Sequence, residues 1–244
     1  MGEGGIRIVI GGLALAMGAA ATAAIMGSGA PVATADRAAI EKIVREYILE
    51  HPEILPEAMT KLQEREVAKA IVANRAAIET PFAGSWEGAK DGDVTLVEFF
   101  DYACGYCRAS LPDVDRLLKD DPRLKIVYRE FPVLGPDSEA AARVSLAAAK
   151  AGKYGAFHRA LYAAGRPEAR TVARVAQQFG LDTSFAESTE ARDEIARNLE
   201  LQRALNLNGT PSWVIGNRVL AGAVGYDALR SAIAEARAGK TSQR

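Results

Sequence analysis

Residues 94–107 read VTLVEFFDYACGYC and decide the fold. The first seven are mostly β-branched or aromatic. They are too few for a helix and too apolar for an exposed edge, so they predict a central, buried strand. Arg108 to Lys119 then reads as a helix, which places Cys104 and Cys107 at a strand-to-helix junction. A thiol at a helix N-terminus faces unpaired backbone N–H groups and the positive end of the helix dipole, so this position favours a thiolate.

The two cysteines are the only ones in the chain. Two residues separate them, so their sulfur atoms can close a small ring, and the second thiol can resolve a mixed disulfide formed by the first. A zinc site needs four ligands, and the only histidines, His51 and His158, lie far away in sequence. A c-type haem site needs a histidine where Arg108 stands. A purely structural disulfide would constrain little of the unfolded chain, so the spacing favours a redox pair.

Composition excludes several classes of protein. The 244 residues are 49% hydrophobic and 25% charged, which is typical of a globular protein with a real core. The 30 Lys and Arg residues are balanced by 31 Asp and Glu residues and are interleaved with them. Without a basic surplus, the chain predicts no nucleic-acid partner.

The first 35 residues differ from the rest and predict an export signal. They hold one acid, one base and a Gly/Ala-rich apolar run from Ile8 to Ala24, and Ala33-Thr34-Ala35 precedes Asp36 as a signal-peptidase site would. The alternative is an uncleaved membrane anchor, since this run is at the lower edge of the length that spans a bilayer. We therefore expect a periplasmic protein whose cysteines work under oxidising conditions.

Residues 36–80 predict a helical N-terminal region in two pieces, because His51-Pro52 ends the first. Both pieces carry an apolar stripe at helical spacing. The stripe consists of Ile40, Ile43, Val44, Tyr47 and Ile48, then Met59, Leu62, Val67, Ala70, Ile71, Ala77 and Ile78. A two-helix hairpin has a thin core, so the stripe packs on the next domain or on another copy of itself. We favour a homo-oligomer formed through residues 36–79, followed by a linker from Thr80 to Gly88.

The rest of the chain alternates between strand and helix patterns. A second strand is predicted at Leu124 to Arg129, and a long helical stretch at about 137–206. Ser212 to Leu220 reads as a hairpin, and Tyr226 to Ala238 as a closing helix. The order of strand, helix, strand, helical insertion, hairpin and helix predicts an α/β fold.

Three motifs together resemble the thioredoxin superfamily. They are Cys104-Gly105-Tyr106-Cys107, the strand Val97-Glu98-Phe99-Phe100 before it, and Gly209-Thr210-Pro211 before a late strand. The helical insertion and Phe157-His158 narrow the resemblance to the DsbA-like branch. Residues 47–55, YILEHPEIL, are similar to the ScsC-type (copper-sensitivity suppressor) subgroup of secreted thiol:disulfide oxidoreductases. The resemblance covers about residues 36–239. It implies a thioredoxin fold with a helical insertion over 81–244, preceded by an N-terminal helical stalk.

The resemblance also implies roles for single residues. Cys104 would be the exposed nucleophile and Cys107 the more buried resolving thiol. Gly105 and Tyr106 would tune the reduction potential and, with Thr210 and Pro211, bind the substrate. Because Gly-Tyr lacks the ionisable histidine of the strongly oxidising members, we expect a less extreme oxidant here.

Two further positions complete the expected site. Thr210-Pro211 would carry the family's cis peptide bond, beside which an unpaired backbone edge binds a substrate chain; an ordinary trans turn is the alternative. Glu98, in a buried strand, should have a raised pKa and would exchange a proton with the resolving thiol. The alternative is a carboxylate satisfied by a lysine or a backbone group. His158 fits helix packing better than catalysis.

These features predict a secreted thiol:disulfide oxidoreductase with no cofactor and no metal. Its partners would be unfolded or misoxidised exported proteins and a membrane redox protein. The oligomeric stalk would present several active sites to one client, which favours a disulfide isomerase. One alternative is a thiol oxidase recycled by a membrane oxidase, and another is a non-catalytic client-binding chaperone module. A glutathione-dependent transferase is disfavoured, because those relatives usually keep only a single Ser or Cys.

Overall fold

The computed structural model describes residues 34–241, which form one mixed sheet and a set of helices. The helices are α1 (Thr34–Glu50), α2 (Ile54–Glu79), α3 (Gly105–Asp120), α4 (Pro136–Lys150), α5 (Tyr154–Ala163), α6 (Ala169–Gln178), α7 (Thr189–Ala204) and α8 (Tyr226–Thr241), with a short 3-10 helix at Thr183–Glu187. The strands are β1 (Trp86–Gly88), β2 (Val94–Phe100), β3 (Leu124–Glu130), β4 (Ser212–Ile215) and β5 (Arg218–Ala221).

The five strands lie in the order β1-β3-β2-β4-β5. β2 and β3 are parallel, with Glu98 opposite Tyr128, and β4 runs antiparallel to β2 with Trp213 opposite Glu98. β2 is central and both of its faces are covered, so the apolar side chains along its whole length are buried. The predicted α/β fold with a helical insertion is confirmed, and α4 to α7 occupy the insertion between β3 and β4.

Each face of the sheet packs on its own hydrophobic core. On one face, Leu96, Phe100 and Tyr128 pack with residues of α3, α8 and the insertion helices. On the other face, Val97 and Phe99 pack with residues of α2 and α7. Alternate side chains of β2 therefore enter the two cores, and packing on both faces holds the end of this strand in place.

The C-terminal half of α2 packs on the sheet and is part of the same domain. Ile71 is 1% exposed and Ile78 is fully buried, both in the core shared with α7. Arg129 of β3 donates hydrogen bonds to the carbonyls of Ala77, Ile78 and Thr80 at the C-terminal end of this helix. The structure divides into compact units at Glu57/Ala58, within α2, and the domain boundary at 80/81 stays a prediction. The later part of the stripe, from Val67 to Ile78, thus docks within its own chain, the alternative to self-association, whereas Met59 and Leu62 stay exposed.

Helix α1 keeps its apolar stripe exposed. Ile40, Ile43, Val44 and Tyr47 are each at least half exposed, with Ile43 at 64%. Exposed apolar rows of this kind mark interaction surfaces in soluble proteins. Within the described residues, α1 and the start of α2 are therefore where the apolar stripe stays exposed. The self-association of residues 36–79 stays a prediction.

β1 is an element that the sequence did not predict. Trp86 to Gly88 falls in the expected linker but pairs antiparallel with β3, with Trp86 opposite Val127. Three residues ending in a glycine carry no alternation from which a strand can be recognised. The sheet gains an edge strand as a result.

The predicted signal peptide at residues 1–35 lies almost wholly outside the described residues, since only Thr34 and Ala35 enter α1. Among residues 34–241, no helix has the length and apolar character needed to cross a membrane.

Candidate redox site

The two cysteines lie where the central strand passes into a helix. Cys104 is the N-cap of α3, and its sulfur accepts a hydrogen bond from the backbone N–H of Cys107 at 3.4 Å. The thiol of Cys104 donates to the carbonyl oxygen of Thr210 at 3.3 Å. The capping position is the reason that the sulfur meets a helix N–H group, because the first N–H groups of a helix have no partner within it.

Hydrogen bonds donated to the sulfur favour the ionised form of Cys104, whereas the Thr210 carbonyl accepts only from the neutral thiol. The pKa of Cys104 is lowered to about 5, chiefly by the hydrogen bond with Cys107, and further by hydrogen bonds with the Thr210 side chain and with the backbone of the first turn, against the opposing effect of burial. A thiol with this pKa is a thiolate at neutral pH, and the thiolate is the nucleophile in disulfide exchange. The expectation that Cys104 is exposed is wrong in degree. Cys104 is 6% exposed, because Thr210 and the first turn of α3 cover it, whereas Cys107 is 1% exposed.

Cys107 and Glu98 form the buried side of the pair. Burial raises the pKa of Cys107 far above its usual range, and the nearby Glu98 carboxylate adds to this effect. Glu98 is 2% exposed, and burial together with the negative charge of Cys104 raises its pKa to about 8. Its Oε2 atom has no hydrogen-bond partner within the described part of the chain. In the described residues, therefore, neither a lysine nor a backbone group satisfies this oxygen, contrary to the alternative considered for Glu98.

The Thr210–Pro211 peptide bond is cis, as the resemblance implied. Thr210 leads into β4, and its carbonyl reaches the Cys104 sulfur directly. The backbone before the proline is thus within contact distance of a group attached to Cys104.

Gly105 and Tyr106 form the first turn of α3 between the cysteines. A side chain at Gly105 would meet no atom within 4 Å, so this position opens to solvent. Tyr106 is 71% exposed. The dipeptide is therefore an uncharged, exposed surface beside Cys104.

Asp101 is a residue of the site that sequence reasoning missed. It is 1% exposed, and its carboxylate accepts hydrogen bonds from the backbone N–H groups of Ala103, Val133 and Leu134 at 2.7, 2.8 and 2.9 Å. Its carbonyl oxygen accepts from the N–H of Cys104 at 2.9 Å. Asp101 therefore fixes the turn before Cys104 to the loop after β3. An acidic residue directly after a buried strand was the available signal.

A buried aromatic cluster lies behind the cysteines. His158 packs against the rings of Phe100, Tyr102, Tyr128, Tyr154 and Tyr162. Burial lowers the pKa of His158 to about 3, so the ring is neutral, and its Nδ1 is 3.1 Å from the hydroxyl of Tyr102. The packing role expected for His158 is the one observed. Glu130, a second buried carboxyl that the sequence did not single out, accepts from Ser145 and Tyr154, and burial raises its pKa to about 7.

A dithiol at a helix N-terminus, beside a cis-proline turn and on a central mixed sheet, defines a thioredoxin-fold thiol:disulfide oxidoreductase. Residues 95–234 match the DSBA-like thioredoxin domain, and the chain belongs to this family. Residues 36–69 match the N-terminal domain of the copper resistance protein ScsC. The two matches confirm the family resemblance drawn from the sequence.

Solved structures give the same result. A thioredoxin-like oxidoreductase from Silicibacter pomeroyi DSS-3 is 42% identical, with a TM-score of 0.64 over 67% of this chain and 98% of that one. A linker-deletion variant of ScsC from Proteus mirabilis is 28% identical, with a TM-score of 0.69 over 87% of this chain and 100% of that one. A periplasmic thioredoxin-like protein from Salmonella enterica serovar Typhimurium is 28% identical, with a TM-score of 0.61 over 67% of this chain and 95% of that one.

Among curated proteins, the chain is 30% identical over 157 residues to Na(+)/H(+) antiporter NhaA 3 of Salinispora tropica. That match covers 61% of this chain but only 24% of the antiporter. The chain thus spans about a quarter of the length of this curated relative.

Proposed function

We propose that this protein is an exported disulfide isomerase that rearranges wrongly paired cysteines in other exported proteins. The observation that carries the disulfide exchange in this proposal is the environment of Cys104, and the choice of isomerase rests on the N-terminal region. Its sulfur is hydrogen-bonded at the N-terminus of α3 and lies beside the Thr210 carbonyl, so a stabilised thiolate stands next to a backbone edge that a client chain can pair with.

The proposed reaction proceeds in two exchanges. The Cys104 thiolate attacks one sulfur of a client disulfide, a bond forms between Cys104 and that sulfur, and the other client sulfur leaves as a thiolate. The mixed disulfide then resolves by one of two routes. In isomerisation, the freed client thiolate attacks a different client disulfide, and a client thiolate finally displaces Cys104. When no such rearrangement occurs, the Cys107 thiolate attacks the Cys104 sulfur, and the client leaves reduced while Cys104 and Cys107 become a disulfide.

Attack by Cys107 requires a base that removes its proton, and we assign the role of this base to Glu98. A thiol with a strongly raised pKa does not ionise by itself at neutral pH. Part of the rise in the pKa of Glu98 comes from the Cys104 thiolate. When Cys104 enters the mixed disulfide that charge disappears, so the pKa of Glu98 falls and the carboxylate becomes available when Cys107 must lose its proton.

Glu98→Gln tests this assignment, because glutamine keeps the shape but cannot accept the proton. We expect resolution of a preformed mixed disulfide on Cys104 to slow by about 10²-fold, the scale of a general base. The measurement is single-turnover release of the client thiol, and the control is Glu130→Gln, a buried carboxyl on the same sheet face. An unchanged release rate in Glu98→Gln, or an equal loss in Glu130→Gln, would reject the role.

The isomerase assignment depends on association through the N-terminal region. Support comes from the exposed stripe of α1, with Ile43 at 64% and Tyr47 at 51% exposed. Further support is the match of residues 36–69 to an ScsC N-terminal domain. Several active sites on one oligomer would hold a client while its disulfides are exchanged, which raises the effective concentration of each site for the next cysteine.

The setting and partners follow from the same proposal. The signal-like residues 1–35 support export to the periplasm, where disulfides persist. An isomerase must be kept reduced under these conditions, so we infer a membrane redox protein as its electron donor. Its clients would be unfolded or misoxidised exported proteins.

A thiol oxidase is the second candidate, and the pKa of Cys104 favours it. A pKa of about 5 lies between those of about 7 in thioredoxin and about 3.5 in DsbA. A more stable thiolate stabilises the reduced protein and makes the disulfide a stronger oxidant. Such an enzyme would be recycled by a membrane oxidase.

Reactivation of a scrambled, fully oxidised multi-disulfide protein separates the candidates. We expect the full chain to restore its activity several times faster than glutathione buffer alone, because wrong pairs must first be opened. Oxidation of the reduced substrate with no reactivation of the scrambled one would favour the oxidase and contradict the isomerase.

A further inference from the structure

A cleft of about 880 Å³ lies between α2 and the segment that carries the cis proline. One wall is the stretch of α2 from Thr60 to Ala68, and the opposite wall runs from Leu205 to Thr210 and along β5. Its volume is in the range of about 300–1,000 Å³ that ligand sites occupy. Nothing in the exchange chemistry described above requires the α2 wall.

The cleft and the redox site share one residue, Thr210. Thr210 lines the cleft, and its carbonyl contacts the Cys104 sulfur at 3.3 Å. A client chain joined to Cys104 through a disulfide lies beside this carbonyl. Residues next to the client cysteine can therefore reach the space between Thr210 and α2.

The charges that line the cleft are predominantly positive. Three cationic side chains, Lys61, Arg65 and Arg218, face one carboxylate, Glu64. Lys61 pairs with Glu64 at 3.0 Å, and Arg218 pairs with Glu235 outside the cleft lining. Within the described residues, Arg65 has no carboxylate within ion-pair distance.

Groups for a neutral peptide backbone are present as well. The lining includes Asn206, Asn208 and Asn217, the last with its amide oxygen already accepting from Arg75, and the partly buried Val67 and Val219. An extended segment can place its backbone against the amides and an apolar side chain on the valines.

We propose that α2 forms one wall of the client-binding site and that the cleft takes an extended, acidic client segment next to the cysteine that Cys104 attacks. This inference rests on the proposed function and names the client chemistry that it selects. α2 thereby has a second role beside closing the core: its Lys61 and Arg65 make the enzyme select clients by charge.

Two peptides that differ only in charge test the selectivity. Each is a hexapeptide with one cysteine in a mixed disulfide with thionitrobenzoate, flanked by aspartates in one and by lysines in the other. The Cys104 thiolate forms a disulfide with the peptide sulfur, and the bond to thionitrobenzoate breaks and releases it as a coloured thiolate. The second-order rate constants are divided by those for neutral mercaptoethanol, which removes intrinsic differences between the peptides.

At low salt, we expect the full chain to prefer the acidic peptide by about tenfold, since each exposed charge pair contributes about a two- to fivefold factor. Arg65→Glu should lower this ratio at least threefold, and Lys61→Glu/Arg65→Glu should abolish or invert it. Both positions are exposed on α2, where glutamate is a good helix former. The preference should weaken as the salt concentration rises.

The matched control is Arg174→Glu, an equal charge reversal at an exposed position of α6 outside the cleft. It should leave the ratio unchanged. If the ratio of the rate constant for the acidic peptide to that for the basic peptide were the same in the full chain and in both α2 variants, the inference would be overturned. The proposed function would remain intact, since both peptides would still react. If the α2 variants changed the oligomer mass but not the ratio, the cleft would hold a second copy of the chain, which also contradicts the proposal.

Discussion

We expect Cys104→Ser to lower the rate of insulin reduction by about 10³-fold or more, the scale on which removal of a catalytic nucleophile acts. The hydroxyl of serine is not ionised at neutral pH, so the hydrogen bonds that lower the pKa of Cys104 have no anion to stabilise. The measurement is turbidity of reduced insulin in the presence of dithiothreitol. The substitution changes one atom at a residue that is 6% exposed, and an unchanged melting temperature would show that the fold is kept.

Cys107→Ser is the matched control, because it removes the other thiol of the pair. It should keep the first exchange and lose release of the client by the second. Activity retained in Cys104→Ser would contradict the proposed mechanism. Full protection of unfolded clients by the double variant would instead support a chaperone module without turnover.

The second large effect is expected from removing residues 36–57, the part of the N-terminal region that precedes the compact catalytic unit. This variant loses the exposed stripe of α1 and should be a monomer. We expect oxidation of a reduced substrate to remain within about twofold, and reactivation of a scrambled substrate to fall at least about tenfold, because multivalent capture is lost. Light scattering measures the oligomer mass, and the two activity assays show whether oxidation is retained while reactivation is lost.

The structure dictates where this deletion must end. Removing residues 36–79 would also take away Ile71 and Ile78, each worth about 2–5 kcal/mol as a buried aliphatic side chain. It would leave the Arg129 guanidinium without its carbonyl partners on α2. Such a variant should unfold or aggregate, so its inactivity would not report on oligomerisation. An unchanged mass after removal of 36–57, or undiminished reactivation by a monomer, would reject the role of the stalk.

The redox pair and its setting could be predicted because the signals are local. A buried strand pattern ends within a few residues of Cys104, and a helix begins there, so the sequence alone places the sulfur at an N-cap. The cis peptide bond at Thr210-Pro211 was predicted from the family resemblance, and the structure contains it. Glu98 was identifiable as a polar residue within an apolar strand.

Features that depend on tertiary packing could not be predicted in this way. An amphipathic stripe has the same spacing whether it packs on another copy or on its own domain. The positions of Ile71 and Ile78 in the sequence therefore could not distinguish these two kinds of packing. The role of Asp101 depends on backbone N–H groups of Val133 and Leu134, more than thirty residues away. The low exposure of Cys104 likewise results from Thr210, which is distant in sequence.

The most direct test of the account is to locate the client sulfur in a trapped complex. Cys107→Ser is mixed with an oxidised client, the reaction is quenched with acid, and the cross-linked peptides are mapped by mass spectrometry without reduction. The account predicts a mixed disulfide to Cys104 that accumulates in Cys107→Ser and is absent in Cys104→Ser. A client disulfide to Cys107 in Cys104→Ser, formed as fast as the complex in Cys107→Ser, would contradict it.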